Sequence, residues 1–301
     1  MRLWHHPMTQ ASPRAVSAAA MALVGLLPVL CHGQTPKGGA ATAGQLNLID
    51  PVISQFEDGP PVGNQRVVPG ESVFFRFGAA GYKTSDSGRV QLTGHLQVFD
   101  SRNVAIMSVD EVAVATTLRD EDKNWKPKLH FQFQIPPIAP PGTYRIHFEA
   151  TDDQTKQKGT SEATFQVEGR NVPPSDSIVV RNLNFYRNPD EEIPLRVAAY
   201  RPGDAVWVKF DVTGYKRGEQ NSIDVTYDVA VTDSQGKQVF SQPDAASEKS
   251  QAYYAQPWVP GVFSLTLQGN TRPGEYHVSI TARDGIGDKS VTATTAFQVG
   301  N

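Results

Sequence analysis

Residues 68–83 read VPGESVFFRFGAAGYK, and residues 201–216 read RPGDAVWVKFDVTGYK. The Pro-Gly pair, the Phe that closes the apolar run and the Gly-Tyr-Lys triplet recur 133 positions apart in these stretches (202 − 69, 210 − 77 and 215 − 82). Further along, the motif PGTY at 141–144 returns 132 positions later as PGEY at 273–276. A fixed internal period indicates a repeated structural unit. The chain therefore contains a duplicated domain.

The composition is that of a globular protein with a mild negative charge. Of 301 residues, 39 % are hydrophobic and 20 % are charged, and the formal net charge is −3. Without Arg2 and Arg14, the chain from Gln34 onward has 26 basic residues (28 less these two) against 31 acidic residues, or −5. This balance argues against nucleic acid as a partner, because nucleic-acid binding needs basic patches. It also gives no attraction to anionic lipids.

The first 33 residues have the pattern of a secretory signal peptide. Two arginines form a basic n-region, residues 15–30 form an apolar run, and the triplet Cys31-His32-Gly33 supplies small residues for cleavage before Gln34. The apolar run is shorter than the ~20 residues that a membrane span needs. We therefore predict a signal peptide at 1–33, no membrane span in the mature chain, and a periplasmic or extracellular location.

A competing interpretation is a lipoprotein that carries a lipid anchor on Cys31. The preceding Pro28-Val29-Leu30 disfavours this interpretation, because a small residue is expected just before an acylated cysteine. Cys31 is also the only cysteine in the chain. Cleavage before Gln34 would leave a mature protein without disulfides, whose core is held by packing alone.

Short apolar alternations, separated by Gly, Pro, Asn and Asp, run through both halves of the chain. Examples are Val73, Phe75 and Phe77; Leu129, Phe131 and Phe133; and Val206, Val208 and Phe210. A period of two over four to eight residues predicts half-buried antiparallel strands. No window of comparable strength outside the signal peptide has helical periodicity. The chain is therefore predicted to be all-β.

The pattern divides the chain into five segments. The signal peptide is followed by a Gly/Ala/Thr-rich flexible tether at 34–45. The first copy occupies 46–168, a Pro-rich linker occupies 169–176, and the second copy occupies 177–301. Pro173-Pro174 would stiffen the linker and hold the copies at a preferred angle.

In each half, Pro-Gly-x-Tyr opens a late strand, and an apolar residue follows two places after the Tyr. This arrangement resembles the tyrosine corner of immunoglobulin-like domains. The resemblance implies that Tyr144 and Tyr276 hydrogen-bond to the chain just upstream. Ile146 and Val278 stand where a true immunoglobulin domain has its second disulfide cysteine, which is similar to the disulfide-free bacterial immunoglobulin-like or fibronectin-III-like group. The predicted fold is two tandem immunoglobulin-like Greek-key β-sandwiches, a fold that hosts many functions.

One loop of the second copy is rich in aromatic residues. Trp125 and Trp258 lie 133 positions apart, each two residues before a proline, which predicts a packing plug at the edge of each sandwich. Just before Trp258, residues 252–257 read AYYAQP, and the first copy has no such aromatics. Because loop aromatics often anchor contacts with proteins or sugars, Tyr253, Tyr254 and Trp258 are the predicted partner-binding residues. The alternative is that the tyrosines tuck over the end of the sandwich.

Two sets of polar residues contain metal-binding residue types without the spacing of a site. Asp120-Glu121-Asp122 offers carboxylates to Ca²⁺, but it lacks EF-hand spacing and is followed by Lys123, so we interpret it as a solvated loop. The histidines after residue 33 all occupy polar-facing strand positions. They are His95, His130, His147 and His277. His95 and His147 could face each other on neighbouring strands, but no third ligand is evident, so we predict no metal and no cofactor.

The sequence contains no enzyme motif. Gly-x-Ser-x-Gly, His-Glu-x-x-His and a phosphate-cradling glycine loop are all missing from it, and the predicted mature chain has no cysteine nucleophile. Acids in turn-like stretches are interpreted as solvated. They are Asp152, Asp153, Asp190, Glu191 and Glu192. The chain is therefore predicted not to be an enzyme.

These observations favour an exported, non-enzymatic binding or spacer protein that meets a protein partner through loops or strand edges. One alternative is a carbohydrate-binding module for a cell-envelope glycan, which predicts solvent-exposed rings at Tyr253, Tyr254 or Trp258. Another is an envelope hydrolase with an unrecognised carboxylate pair ~5–10 Å apart in a groove. A two-domain pilus chaperone is a further alternative, and the near-repetition of one domain weighs against it.

Overall fold

The computed structural model describes residues 45–63, 66–122 and 124–300. The predicted signal peptide, and all of the predicted tether except Gln45, lie outside the described residues. Within the described ranges, no helix is long and apolar enough to cross a bilayer.

Each half of the described chain folds into one three-stranded and one five-stranded sheet. The strands of the first copy are β1 (Asn47–Ser54), β2 (Arg66–Val67), β3 (Ser72–Ala80), β4 (Arg89–Phe99), β5 (Asp110–Thr117), β6 (Lys128–Gln134), β7 (Gly142–Asp152) and β8 (Lys158–Val167). The strands of the second copy are β9 (Val179–Tyr186), β10 (Ala199–Tyr200), β11 (Ala205–Thr213), β12 (Ile223–Asp233), β13 (Gln238–Ser250), β14 (Val259–Thr266), β15 (Gly274–Asp284) and β16 (Lys289–Val299).

The two copies share one topology. The sheets of the first copy have the strand orders β1-β3-β6 and β2-β8-β7-β4-β5, and those of the second have β9-β11-β14 and β10-β16-β15-β12-β13. In the first copy the chain changes sheet after β1, β2, β3, β5 and β6, which gives the Greek-key connection. The prediction of two tandem immunoglobulin-like sandwiches is therefore confirmed. We propose that the copies divide at the predicted linker, 169–176.

The predicted alternation places the apolar residues between the sheets. Phe75 and Phe77 of β3 are almost completely buried. Their ring centroids lie 5.0 Å and 4.7 Å from that of Phe148 on the opposite sheet. Full burial of one such side chain contributes ~1.5–3 kcal/mol, so these rings help to hold the two sheets together without a disulfide.

Both tyrosine corners are present. The Tyr144 hydroxyl donates to the Pro140 carbonyl at 2.9 Å, and the Tyr276 hydroxyl donates to the Arg272 carbonyl at 2.9 Å. In each case the acceptor lies four residues upstream. The hydrogen bonds implied by the immunoglobulin resemblance are therefore confirmed.

The glycine of each Gly-Tyr-Lys triplet makes a left-handed turn against the backbone. Gly81 has a φ of 80° and Gly214 has a φ of 75°. A Cβ atom would lie 2.3 Å from the Gln45 carbonyl oxygen at Gly81 and 2.0 Å from the Ser177 carbonyl oxygen at Gly214. Only glycine tolerates this combination of φ and close approach, which explains why the triplet recurs.

The lysine of each triplet is bound through its backbone to a buried carboxylate. The Lys83 N–H donates to Asp152 Oδ2 at 2.7 Å, and the Lys216 N–H donates to Asp284 Oδ2 at 2.7 Å. The other oxygen of each aspartate accepts two further backbone N–H groups in the turn that follows it. Asp152 is only 1 % exposed, so the prediction that it is solvated is wrong. Its polarity reflects three backbone donors that need an acceptor.

Replacing this acceptor is expected to destabilise the first copy strongly. Asp152→Ala leaves three buried N–H groups without a partner, and we expect the free energy of unfolding to fall by about 3 kcal/mol. Asp153→Ala is the matched control, because Asp153 accepts one partly buried hydrogen bond, from the Thr93 hydroxyl, and otherwise faces the exposed Lys156 amine at 3.9 Å. We expect it to cost about 1 kcal/mol or less. Urea unfolding measures both, and equal losses would contradict the structural role of Asp152.

Candidate binding site at the junction of the two copies

The turn after β4 is organised by a buried carboxylate. Asp100 Oδ1 accepts the N–H groups of Arg102 at 2.9 Å and Val104 at 2.8 Å. Asn103 completes the turn in the left-handed region, with a φ of 62°. The Asp100 side chain is fully buried, so its second oxygen also needs a donor.

The second copy supplies that donor through Tyr254. The Tyr254 hydroxyl donates to Asp100 Oδ2 at 2.9 Å, and Arg102 Nη2 lies 3.0 Å from the same oxygen and 3.2 Å from the hydroxyl. The Tyr254 ring belongs to the hydrophobic core cluster of the first copy. Burial, together with the charge of Asp100, raises the pKa of Tyr254 well above its usual value, so the hydroxyl remains a donor at neutral pH. One side chain thus joins the two copies.

The linker makes a second attachment through Arg170. Arg170 Nη2 lies 2.6 Å from Oδ1 of Asp211 on β11, and Asn182 Nδ2 donates to Oδ2 at 2.8 Å. Burial raises the pKa of Asp211, whereas the bonds from Asn182 and Arg170 lower it. Val172, two residues further along the linker, is also buried. The linker is therefore fastened to the second copy by a charge pair.

Of the residues at this joint, Asp100, Arg102, Arg170 and Asp211 were not predicted from the sequence. Asp211 carried a usable signal, since the position 133 residues earlier is Gly78, and an acid within an apolar strand calls for a partner. Asp100 and Arg102 gave no comparable signal, because Tyr254, which completes their arrangement, lies more than 150 residues further along the chain.

A groove of about 800 Å³ lies where the linker meets the second copy. Its walls come from the first copy, the linker and the outer face of the β9-β11-β14 sheet. The lining includes Val68, Pro69, Arg170, Tyr186, Lys209 and Val262. Val68 and Val262 are exposed apolar residues. Exposed apolar residues beside partly exposed charged groups suit a protein segment better than a small polar substrate.

Lys209 holds one wall of this groove in place. Its Nζ donates to the Glu191 carbonyl at 2.6 Å and lies 4.7 Å from the centroid of the Tyr186 ring. Burial, and then the charge of Arg170, lower the pKa of Lys209. The first copy has an equivalent contact. Arg76, which lies 133 positions before Lys209, donates to the Gly59 carbonyl at 3.1 Å. In both copies a strand cation fastens the loop that precedes the short second strand.

The structure separates the three predicted partner-binding aromatics. Tyr253 is 57 % exposed, whereas Tyr254 is 7 % exposed and Trp258 is 4 % exposed. Tyr254 and Trp258 therefore present no flat ring to solvent. The Tyr253 carbonyl accepts Asn221 Nδ2 at 2.7 Å, which steadies the loop. Partner contact through Tyr253 remains a prediction.

Trp125 and Trp258 were predicted to be equivalent positions, but the strand pairing offsets them by one residue. Strand β3 places Gly78 opposite Lys128, and β11 places Asp211 opposite Pro260. Lys128 is therefore the counterpart of Pro260, which lies 132 positions later, so Trp258 does not match Trp125. Trp125 is 38 % exposed, whereas Trp258 is buried.

The predicted polar sites do not gather metal ligands. Within the described ranges, no three His, Cys, Asp or Glu side chains cluster as a metal site would require. His95 and His147 lie on the neighbouring strands β4 and β7, but each faces a carboxylate across the sheet, Glu111 at 3.6 Å and Glu162 at 3.6 Å. Asp120–Asp122 forms a 3-10 turn, and Lys123 lies outside the described residues.

The fold and this joint define a tandem immunoglobulin-like β-sandwich protein. No protein-family profile matches the chain, and no curated protein does. The chain is similar to the solved C-terminal domain of the Streptococcus agalactiae antigen I/II polypeptide BspA, at 12 % identity and a TM-score of 0.27, over 83 % of this chain and 100 % of that one. It is also similar to the C-terminal domain of Streptococcus pyogenes AspA, an antigen I/II-family protein, at 10 % identity and a TM-score of 0.27, over 84 % and 99 %.

A partial likeness covers 42 % of this chain and 27 % of a family 123 glycoside hydrolase from Clostridium perfringens, at 14 % identity and a TM-score of 0.28. At TM-scores this low, we draw nothing from these likenesses about binding or activity.

The linker attachment yields a matched pair of substitutions. Arg170→Ala leaves the buried Asp211 with one donor fewer, and we expect the free energy of unfolding to fall by about 2 kcal/mol. Arg66→Ala removes the ion pair between Arg66 and Glu168, whose N–O distance of 2.7 Å is similar to that of Arg170–Asp211. Both side chains of the Arg66–Glu168 pair are more than half exposed. We expect it to cost less than about 0.5 kcal/mol, because water already solvates both charges. Equal losses in urea unfolding would show that burial of Asp211 is not what matters.

Proposed function

We propose that this protein is an exported, non-enzymatic binding and spacer protein whose two immunoglobulin-like copies act as one rigid body. The observation that carries the proposal is the Tyr254 side chain of the second copy, buried in the core of the first. Export follows from the predicted signal peptide at 1–33. The partner is proposed to be a protein that contacts surfaces near the junction of the copies.

Two attachments support the rigid arrangement. Domains joined by a plain linker normally move relative to each other. Here the Tyr254–Asp100 bond lies between the copies, and the Arg170–Asp211 pair fastens the linker itself. Bending that broke both would leave two buried carboxylates with one donor fewer each. That cost opposes inter-copy motion.

The exposed features at the junction favour a protein partner over a glycan. A sugar platform needs flat aromatic rings open to solvent, and of the three predicted aromatics only Tyr253 is exposed. The groove offers apolar lips at Val68 and Val262 beside the cation of Lys209. Mixed apolar and charged lining of this kind is typical of protein–protein contacts.

The buried acids of the described residues all have structural partners, which supports a non-enzymatic role. Their carboxylate oxygens accept backbone or side-chain donors. They are Asp100, Asp152, Asp211 and Asp284. A general acid or base must instead be free to exchange its proton with a substrate. These four carboxylates thus give no support to the hydrolase alternative.

Small-angle X-ray scattering tests the rigid spacer. We expect the wild-type chain to scatter as one body at its junction, and Tyr254→Ala to increase the radius of gyration because the copies separate. Tyr254→Phe keeps the ring and removes the hydroxyl, so it should give a smaller change. Tyr253→Ala is the control and should leave the scattering unchanged, because this side chain is exposed. Identical curves for the wild type and Tyr254→Ala would argue against the joint.

Affinity capture from the producing cell's envelope extract tests the binding role. We expect the full wild-type chain to retain a protein partner. Val262→Glu, which places a charge on the groove lip, or Tyr253→Ala, which removes the exposed ring, should lose that partner. Gln91→Glu, near the start of β4 and so at the opposite end of this strand from the Asp100 turn, is the control. Retention of the partner by both junction variants would place binding elsewhere.

A further inference from the structure

The turn that receives Tyr254 in the first copy is duplicated in the second. Residues 100–104 read DSRNV, and residues 233–237 read DSQGK. Asp233 Oδ1 accepts the N–H groups of Gln235 and Lys237, each at 3.0 Å, as Asp100 Oδ1 does in the first copy. Within the described residues, Asp233 Oδ2 has no hydrogen bond. It is the counterpart of the oxygen that accepts the Tyr254 hydroxyl.

A cavity of about 560 Å³ lies beside this second turn. Its lining includes the turn carboxylate, the corner tyrosine and the apolar end of the core. Among the lining residues are Val231, Asp233, Val239, Leu265, Leu267 and Tyr276, together with the basic Lys237 and Arg272. Val239 is 43 % exposed, whereas Ile106, its counterpart 133 positions earlier, is 6 % exposed. The core of the second copy is therefore open at an end where that of the first is closed.

The lining of the cavity corresponds to the surroundings of Tyr254 in the first copy. Asp233 corresponds to Asp100, which binds the Tyr254 hydroxyl. Tyr276 corresponds to Tyr144, which belongs with Tyr254 to the core cluster of the first copy. The molecule thus contains one occupied and one open version of the same site, and the occupied version shows which side chain fits.

We propose that this cavity, the distal socket, binds the side chain of a tyrosine presented by a loop of a partner protein. The apolar lining receives the ring, and Asp233 Oδ2 accepts the phenol hydrogen, as Asp100 does for Tyr254. Phenylalanine would fill the same volume but leave the carboxylate without a donor, so the hydroxyl determines specificity. This inference goes beyond the proposed function, which concerns the junction at the other end of the second copy.

Methyl-detected NMR titration of the full chain tests the distal socket with p-cresol, the side chain of tyrosine, as the probe. We expect p-cresol to shift the methyl signals of Val231, Val239, Leu265 and Leu267. Toluene lacks only the hydroxyl, and we expect it to bind at least about tenfold more weakly. Shifts confined to other parts of the molecule, or equal affinity for the two probes, would overturn the proposal.

Two variants separate the socket from non-specific binding. Asp233→Asn removes the charged acceptor and should weaken p-cresol about tenfold while changing toluene binding little. Tyr254→Ala opens the corresponding site in the first copy, and p-cresol should then also shift Val98 and Ile106. Binding of p-cresol at that opened site, with no shift at the distal socket, would overturn the proposal while leaving the inter-copy joint intact.

Discussion

A buried carboxylate needs hydrogen-bond donors in place of water. The architecture depends on how four buried aspartates obtain these donors. Asp152 and Asp284 obtain them within their own copies by collecting backbone N–H groups from the turn and from the Gly-Tyr-Lys triplet. Asp211 accepts a hydrogen bond from Arg170 of the linker, and Asp100 accepts one from Tyr254 of the other copy. Folding of each sandwich and attachment between the sandwiches thus use the same physical device.

Comparison of the two copies shows which buried-aspartate contacts occur in both and which occur in only one. The aspartate-centred turn occurs in both copies with matching backbone bonds, so it belongs to the shared fold. Tyr254 has no aromatic counterpart in the first copy, and Asp211 replaces a glycine there. The joint therefore combines Asp100, from a turn that both copies share, with Tyr254 and Asp211, at positions where the copies differ.

The sequence predicts local structure well and long-range pairing poorly. The alternation at Val73, Phe75 and Phe77 predicts the strands, and Pro-Gly-x-Tyr predicts both tyrosine corners, because these signals lie within one element. The burial of Asp152 was missed because one of its donors, the backbone N–H of Lys83, lies 69 residues away along the chain. Tyr254 was predicted to bind a partner, but its side chain is buried in the other copy of the same chain. Spacing along the chain does not reveal a contact between domains.

The fastened linker also affects how the protein would be degraded. Proteases cut folded proteins where an exposed segment can be drawn into an extended form, and linkers between domains are common targets. Here the bond after Arg170 would attract trypsin-like enzymes, yet its side chain is held by Asp211 and the nearby Val172 is buried. Cleavage would first require the linker to dissociate from the second copy. In a protease-rich compartment, the two copies would therefore tend to survive together as one piece.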